Sequence, residues 1–432
     1  MTNMPVCRIS GQPLHAFLDL GMMPVANAFL TKAQLAEPEF KFPLRVGFCE
    51  TSLMVQLIET VDPAQLFHAN YAYFSSISRV MEQHFAQLAD AVAAELLYDK
   101  RLPVVEIGSN DGILLAKLAA HAPAVGIEPS GNVAAAARAR GLDVISEFFE
   151  PGLAARLRTE RGAAQLVVGA NVLCHIPDLN ALARSLDVLL DSNGIFIFED
   201  PYLLEIITQL AYDQIYDEHY FYFSVLSLSR LFAAHGLRIF RVEALPVHGG
   251  SMRVYGCRAG AQRATEPGVQ TQLALERQHG LHLLQTYVDF AERVRQSRAA
   301  LFTMLYGLKQ GGRRIAGYAA SSKGTVVLNY CGIGPQLLDY ICDNTPGKQG
   351  LFAPGTHIPV LPIEHFAADR PDFAFVLAWN HMREIMAKEQ GFTQGGGRTP
   401  CPCPTNHGEQ TTTAHLSVAV EQLLARSNFQ VA

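Results

Sequence analysis

The chain has 432 residues, 49% hydrophobic and 17% charged, which excludes a disordered protein and exceeds the size of one hydrophobic core. Forty acidic against thirty-four basic residues leave a formal charge of -6, with no Lys/Arg stripe to neutralise a phosphate backbone, so nucleic acid is excluded as a partner. MTNMPVCRIS lacks a basic stretch followed by an apolar one, and no apolar run is long enough to span a bilayer, so the chain reads as cytoplasmic, without a membrane partner; its eight cysteines read as thiols or metal ligands, not a disulfide framework.

Residues 1 to about 60 are short apolar bursts separated by turns, with no long helical period. A helical stripe follows, with Ile77, Met81, Phe85, Leu88, Val92 and Leu96 in register and Ser75 or Ser76 available as N-cap. LPVVEIGSNDGILLAKLAA then runs from an apolar strand through a Gly-rich turn into a helix, and AVGIEPS, LDVIS, QLVVGANVLCHIP and GIFIFEDPY each end an apolar run in polar residues. Strands alternating with helices predict a parallel sheet covered on both faces. LRIFRVEALPVHGGSMRVYGCRA reads as a hairpin closing that sheet. Residues 266 to 310 are helical, with Leu281, Leu284, Tyr287, Phe290 and Val294 in period. RRIAGYAASSKGTVVLNY restarts the strand, turn and helix pattern, and LDYICDN, HIPVLPIEHF and FAFVLAWN supply further strands, so a second α/β domain is expected.

The sharpest motif is VVEIGSNDG. A dinucleotide fold wants G-x-G-x-x-G, whose second glycine lets a pyrophosphate approach. Here Gly108 is followed by Ser109, Asn110, Asp111 and Gly112, so an acid lines that slot. Asp111 repels a diphosphate but accepts from an amino acid's ammonium, and Glu128, ending the next strand, is placed to take both ribose hydroxyls. The ligand implied is S-adenosylmethionine rather than NAD, and the expected cofactor set is Glu106, Gly108, Asn110, Asp111, Gly112, Glu128 and Asn171.

With VVEIGSNDGILL, ANVLCHIPD, FIFEDPYL, AYDQIYDEHYFYFS, LPVHGGSMR, GYAASSKGTVVLNYCGIG, DNTPGKQG, PGTHIPV and AWNHMREIMAKEQ, the chain resembles the sugar C-methyltransferases that act on nucleotide-linked 4-keto-deoxysugars, over residues 1 to about 398. The resemblance implies a small N-terminal zinc module, a class I methyltransferase Rossmann-like domain binding S-adenosylmethionine, and a C-terminal Rossmann-like domain holding the nucleotide-sugar. The expected boundaries are 1–65, 66–260, a helical connector at 261–310, 311–398, and a divergent tail at 399–432. A monomer or weak homo-oligomer is expected.

A C–H bond beside a ketone is acidic because its anion delocalises onto oxygen, so methylation at C3 of a 4-keto sugar needs a base and a group to stabilise the enolate. In YDEHYFYFS, His219 is the natural base, Glu218 an acid to orient it or bind a sugar hydroxyl, and Tyr216 a hydroxyl for the developing oxyanion, roles the resemblance also implies. Tyr71, Tyr73, Tyr222, His248, Lys323 and Asn344 are the expected substrate contacts. Half-buried packing is the competing reading for Tyr220 and Tyr222, and a surface ion pair for Lys323.

Two departures stand out. The resemblance implies two C-x-x-C pairs, a strong zinc signature, but the pairs here read Cys7-Arg8-Ile9-Ser10 and Cys49-Glu50-Thr51-Ser52. A serine hydroxyl does not ionise near neutral pH, so two of four anchors are lost, bound zinc is doubtful, and no residue is assigned to a metal. His15 is the one replacement ligand in reach of the pattern, and Phe17, Leu18, Phe42, Leu44 and Leu57 are expected to hold the module instead. After Arg398 the chain reads TPCPCPTNHGEQTTT, whose prolines exclude a strand interior; Cys401 and Cys403 fall in a linker, with a terminal helix expected over 416–425. Two other functions stay open: a catalytically impaired relative that binds nucleotide-sugar or cofactor, and an O- or N-methyltransferase for a small molecule, which would need no second nucleotide-binding domain.

Overall fold

The computed structural model describes residues 4–66, 74–77 and 79–390. Tyr71, Tyr73, Cys401, Cys403 and the expected terminal helix lie outside them. Contacts divide the chain into two units: Met1–His15, Gly47–Leu204 and Glu218–Leu284 form the first, and Ala16–Val46, Glu205–Asp217 and Gln285–Ala432 the second. The division passes between Asp217 and Glu218, inside the aromatic stretch.

The apolar bursts near the N-terminus are strands: β1 (His15–Pro24), β2 (Lys41–Phe48) and β3 (Val55–Leu57). The first unit is then built on β4 (Val104–Ile107), β5 (Ala124–Ile127), β6 (Val144–Ile145), β7 (Ala164–Ala170) and β8 (Leu190–Pro201). After them come the two-residue β9 (Phe221–Tyr222) and the hairpin β10 (Leu237–Leu245) and β11 (Ser251–Arg258). The main sheet has the order β10-β11-β8-β7-β4-β5-β6. Neighbours from β8 to β6 are parallel, and β11 enters antiparallel between β8 and β10. The expected hairpin is therefore present, but its second strand is inserted rather than laid at the edge. Six strands in one direction with a late antiparallel insertion is the class I methyltransferase topology.

Local sequence explains the layers. Val104, Val105 and Ile107 of β4 are buried, as expected for a strand covered on both faces. The helix Arg79–Glu95 carries Met81, Phe85, Leu88 and Val92 into the same core as Val104, Leu166 and Ile195. Each such side chain contributes about 1.5–3 kcal/mol by leaving water. Apart from the sheet, β3 pairs antiparallel with β9, setting Val55 opposite Tyr222 and Gln56 opposite Phe221.

The second unit holds the parallel sheet β14-β13-β12-β15, from β12 (Ile315–Tyr318), β13 (Ile341–Asp343), β14 (Val360–Pro362) and β15 (Phe373–Val376). The helical region resolves into two helices, Pro267–Gln278 and Leu284–Gln310; Tyr287, Phe290 and Val294 of the latter are buried, and the Tyr287 ring lies 5.2 Å from that of Phe17. Leu18, Phe42, Leu44 and Leu57 are buried as expected.

Candidate active site

β4 runs into a turn that needs left-handed backbone three times, with φ of 65° at Gly108, 48° at Asn110 and 84° at Gly112. A Cβ at Gly112 would stand 2.3 Å from Leu142 Cδ1, and one at Gly108 2.7 Å from Val172 Cγ2, so side chains are excluded by space as well as by φ. Asparagine is among the residues that best tolerate this region. Asn110 uses its side chain to hold the turn, Oδ1 accepting from the Asp111 and Ser75 amides at 2.9 and 3.0 Å.

Three carboxylates gather at this turn. Glu128, ending β5, accepts from the Asn110 amide through Oε2 (3.0 Å) and from the Ser130 amide through Oε1 (2.7 Å), which fixes the orientation of its carboxylate. Burial pushes Glu128 up, against those two amides. Burial and then the charge of Glu128 push Glu106 well above the usual carboxylate range, and Asp111 adds to the rise. Asp111 is fully buried; Arg140 Nη2 reaches its Oδ2 at 3.2 Å and Arg140 Nη1 its carbonyl at 2.9 Å. Oε2 of Glu106 and Oδ1 of Asp111 are buried without a hydrogen-bond partner among the described residues. A pocket carrying so much buried acid favours a cation and repels a diphosphate. S-adenosylmethionine, with its ammonium and sulfonium, fits this donor set.

The ends of β7 and β8 carry the second part of the site, where parallel sheets bind ligands. Past β7, Asn171 takes φ 53°, and the chain turns through Leu173–His175. Asp200 ends β8 and accepts from the Cys174 amide at 3.1 Å; burial pushes its carboxyl up to about 7. Burial, then Asp200, also push the Cys174 thiol well above its ordinary value, which keeps it protonated. Tyr220 is anchored in three ways: its amide donates to the Cys174 carbonyl (2.7 Å), its hydroxyl to the Val61 carbonyl (3.0 Å), and its carbonyl accepts from Leu57 (2.9 Å). These bonds fix the backbone directly after the expected base and give the buried Tyr220 a structural place.

His219 and Glu218 are buried in the first unit, at 5% and 4% exposure. The His219 ring lies 5.1 Å from that of His175, whose Nδ1 bonds the Glu218 carbonyl at 2.6 Å. Burial lowers His175 to about 4, so its ring is neutral at pH 7. Cys174, His175 and His219 place donor atoms within 4.8 Å of one another, and among the described residues this is the one such grouping of three. Tyr222 is 2% exposed and sits against Val55, while Tyr216 is half-buried in the second unit. His248 occupies the hairpin turn at φ 55°; the Gly250 carbonyl of that turn accepts from Tyr202, just past β8, which puts the HGG loop beside Asp200. Sequence reasoning passed over Cys174, His175 and Asp200 as site residues. Their signal was position, Cys174 and His175 in the turn after β7 and Asp200 in the last residues of β8.

In the second unit, Ser321 caps the helix Ser322–Cys331 by accepting from the Gly324 amide at 3.0 Å. Lys323 in its first turn stands 5.7 Å over the Trp379 ring, and Trp379 Nε1 donates to Asp213 Oδ2 at 2.7 Å. Burial raises the Asp213 carboxyl, and the charge of Lys323 opposes the rise. Asn344 is exposed just past β13, whose Asp343 accepts from Ala320 and Thr345 amides at 2.7 Å each.

At the N-terminus, Cys7, Ser10, Cys49 and Ser52 do converge. Cys7 Sγ and Ser52 Oγ lie 3.2 Å apart, and Ser10 Oγ and Cys49 Sγ 3.3 Å. His15 does not join Cys7 and Cys49 in any three-ligand grouping among the described residues.

The chain is 36% identical over 403 residues to the C-methyltransferase NovU of Streptomyces niveus, covering 92% of this chain and 95% of the relative. The chain belongs to the C-methyltransferase family. A C-methyltransferase C-terminal domain matches residues 246–404, a methyltransferase domain 80–242, and a domain whose description names zinc binding 7–67. Among solved structures, a SAM-dependent methyltransferase from Anabaena variabilis covers 41% of this chain and 85% of its own at TM-score 0.34 and 18% identity. The magnesium protoporphyrin IX methyltransferase of Synechocystis with bound SAM covers 41% and 81% at TM-score 0.31 and 18% identity. As a member of its family, this C-methyltransferase uses S-adenosylmethionine as methyl donor. No described helix is long and apolar enough to cross a membrane.

Proposed function

We propose that this C-methyltransferase methylates C3 of a nucleotide-linked 4-keto-6-deoxysugar through an enolate, in the biosynthesis of a branched-chain sugar. The observation that carries the reading is the buried His219 beside a neutral His175, at the strand ends next to the acid-lined cofactor turn. Bound S-adenosylmethionine supplies an electrophilic methyl group. Glu128 holds the ribose hydroxyls, Glu106 and Asp111 face the ammonium, and Gly108, Asn110, Gly112 and Asn171 shape the backbone around them. A ring nitrogen of His219 takes the C3 proton as the C–H pair becomes the C3–C4 double bond and the carbonyl π pair moves onto the C4 oxygen, where the Tyr216 hydroxyl donates to the growing charge. Glu218 orients the base or binds a sugar hydroxyl. With the methyl donor bound, the enolate carbon would take its methyl group, the methyl–sulfur bond breaking to leave the neutral thioether, and the His219 imidazolium returns its proton to water. His248, on the HGG loop beside Asp200, lines the sugar side, and Tyr71 and Tyr73 contact the sugar as well. Tyr222 packs beneath the base. In the second unit, Lys323 and Asn344 take the nucleotide, within the nucleotide-sugar domain expected over 311–398.

The test is incubation with a panel of dTDP-, GDP- and CDP-linked 4-keto-6-deoxysugars and methyl-labelled S-adenosylmethionine, read by mass. Transfer of one methyl to carbon in at least one of these sugars is the expected result. Transfer only to hydroxyl or amino acceptors contradicts the substrate assignment.

A further inference from the structure

The residues at the N-terminal knuckles do not fit the zinc ion that the matching family description names, and the structure shows what stands in its place. Both turns keep the backbone pattern of a metal knuckle: the Gly11 amide donates to the Cys7 carbonyl (2.8 Å) and Leu53 to Cys49 (2.8 Å). Amide donors still point at the would-be ligand atoms, Ile9 to Cys7 Sγ (3.4 Å), Gln12 to Ser10 Oγ (3.4 Å) and Met54 to Ser52 Oγ (3.3 Å). Such donors stabilise an anion at sulfur. At serine they leave the hydroxyl hydrogen free to be given to something else.

Each hydroxyl has a hydrogen-bond partner in the opposite turn. Zinc–sulfur bonds of about 2.3 Å and tetrahedral angles set ligand atoms about 3.5–3.8 Å apart around an ion. The cross-turn contacts of 3.2 and 3.3 Å are shorter than that and match direct hydrogen bonds to sulfur. Gln56, fully buried, adds a third link: its Nε2 donates to Cys7 Sγ at 3.1 Å while its Oε1 accepts from the Arg8 amide at 3.1 Å. Leu14, Ile9 and Ile58 pack around the two sulfurs.

We propose that Cys7, Ser10, Cys49 and Ser52 close the two turns without metal, each serine hydroxyl bonded to the cysteine of the opposite turn and Gln56 bracing Cys7. The closure stands directly behind the strand that follows the base, since Gln56 pairs with Phe221, two residues after His219. It is independent of which sugar the enzyme methylates.

The test uses the full chain, purified under reducing conditions from zinc-supplemented medium, beside the variant Ser10→Cys/Ser52→Cys. The native chain is expected to carry well under one zinc by elemental analysis, with a melting temperature unchanged by chelator. The double variant is expected to gain about one zinc per chain and a chelator-sensitive melting temperature. Stoichiometric zinc in the native chain, or a fall in its melting temperature on chelation, overturns the proposal. Should the double variant not fold, cobalt(II) titration of the native chain decides: no thiolate-to-cobalt absorption supports the metal-free closure, and its appearance refutes it.

Discussion

The cofactor turn and the N-terminal knuckles lie in the same unit and are both close-packed polar clusters, yet they depart from an ideal arrangement in opposite ways. At the turn, Glu106, Asp111 and Glu128 are all buried acidic residues, and the backbone takes left-handed φ at Asn110 as well as at two glycines. At the knuckles, hydroxyls stand at two of the four positions where a zinc site would want thiols, and hydrogen bonds link the two turns. Ligand binding and proton transfer need groups that carry charge, and no neutral replacement does that work. Holding two turns together needs only satisfied donors and acceptors. Strain and buried charge thus mark the site, and their relief marks the scaffold.

The contrast is broken most forcefully at His219. His219→Asn keeps a hydrogen-bonding side chain but no basicity, so turnover is expected to fall by about a hundredfold to ten-thousandfold while S-adenosylmethionine still binds. Tyr222→Phe, which removes one hydroxyl from a packed ring, is expected to turn over within a few-fold of the native enzyme. Steady-state kinetics with calorimetric cofactor binding checks both; equal losses in the two variants would place the whole stretch in the scaffold.

A smaller effect is expected at Glu128. Its carboxylate is pre-oriented by two amides, and Glu128→Ala should weaken S-adenosylmethionine by about ten- to a hundredfold, the worth of one or two charge-assisted hydrogen bonds. NAD should bind neither form. Micromolar NAD binding in calorimetry would show that the acids do not select the ligand's charge.

The smallest effect is on stability. His175 titrates at about 4 in the folded chain against 6.5 ordinarily, so between those values the unfolded chain binds more protons, and the contribution is full above pH 6.5 and lost as pH falls to 4. The shift is worth at most about 3 kcal/mol. Asp200, raised from 3.8 to about 7, has the opposite sign over an overlapping window, so the native curve alone does not isolate the histidine. The difference between native chain and His175→Gln in denaturant midpoints at pH 4.5 and 7 does: the native chain should lose more stability at the lower pH. Parallel losses would place the His175 ring in water.

Much of this was legible in the sequence because it rests on local pattern. VVEIGSNDG announced a Gly-rich turn with an acid-lined slot, and the alternation of apolar runs announced a parallel sheet and a second α/β domain. The insertion of β11 between β8 and β10 was not legible, since a hairpin pattern says nothing of which neighbour its second strand will take. Nor was the setting of His219: His175 and Asp200 lie 44 and 19 residues away in sequence, and only the sheet brings their strand ends together. The serines of the knuckles read as missing ligands, whereas the cross-turn pairing that gives them work depends on a fold that sets residues 7 and 52, 45 apart in the chain, within hydrogen-bond reach.

The central claim, that a buried histidine removes a carbon-bound proton before any methyl moves, is tested most directly by solvent exchange. Enzyme, nucleotide-linked 4-keto-6-deoxysugar and heavy water, with S-adenosylhomocysteine in place of the methyl donor, should replace the C3 proton with deuterium, read by proton NMR or mass. The native enzyme is predicted to exchange it, and His219→Asn to exchange it no faster than buffer. Exchange by His219→Asn at the native rate would contradict the account and move the base to another residue.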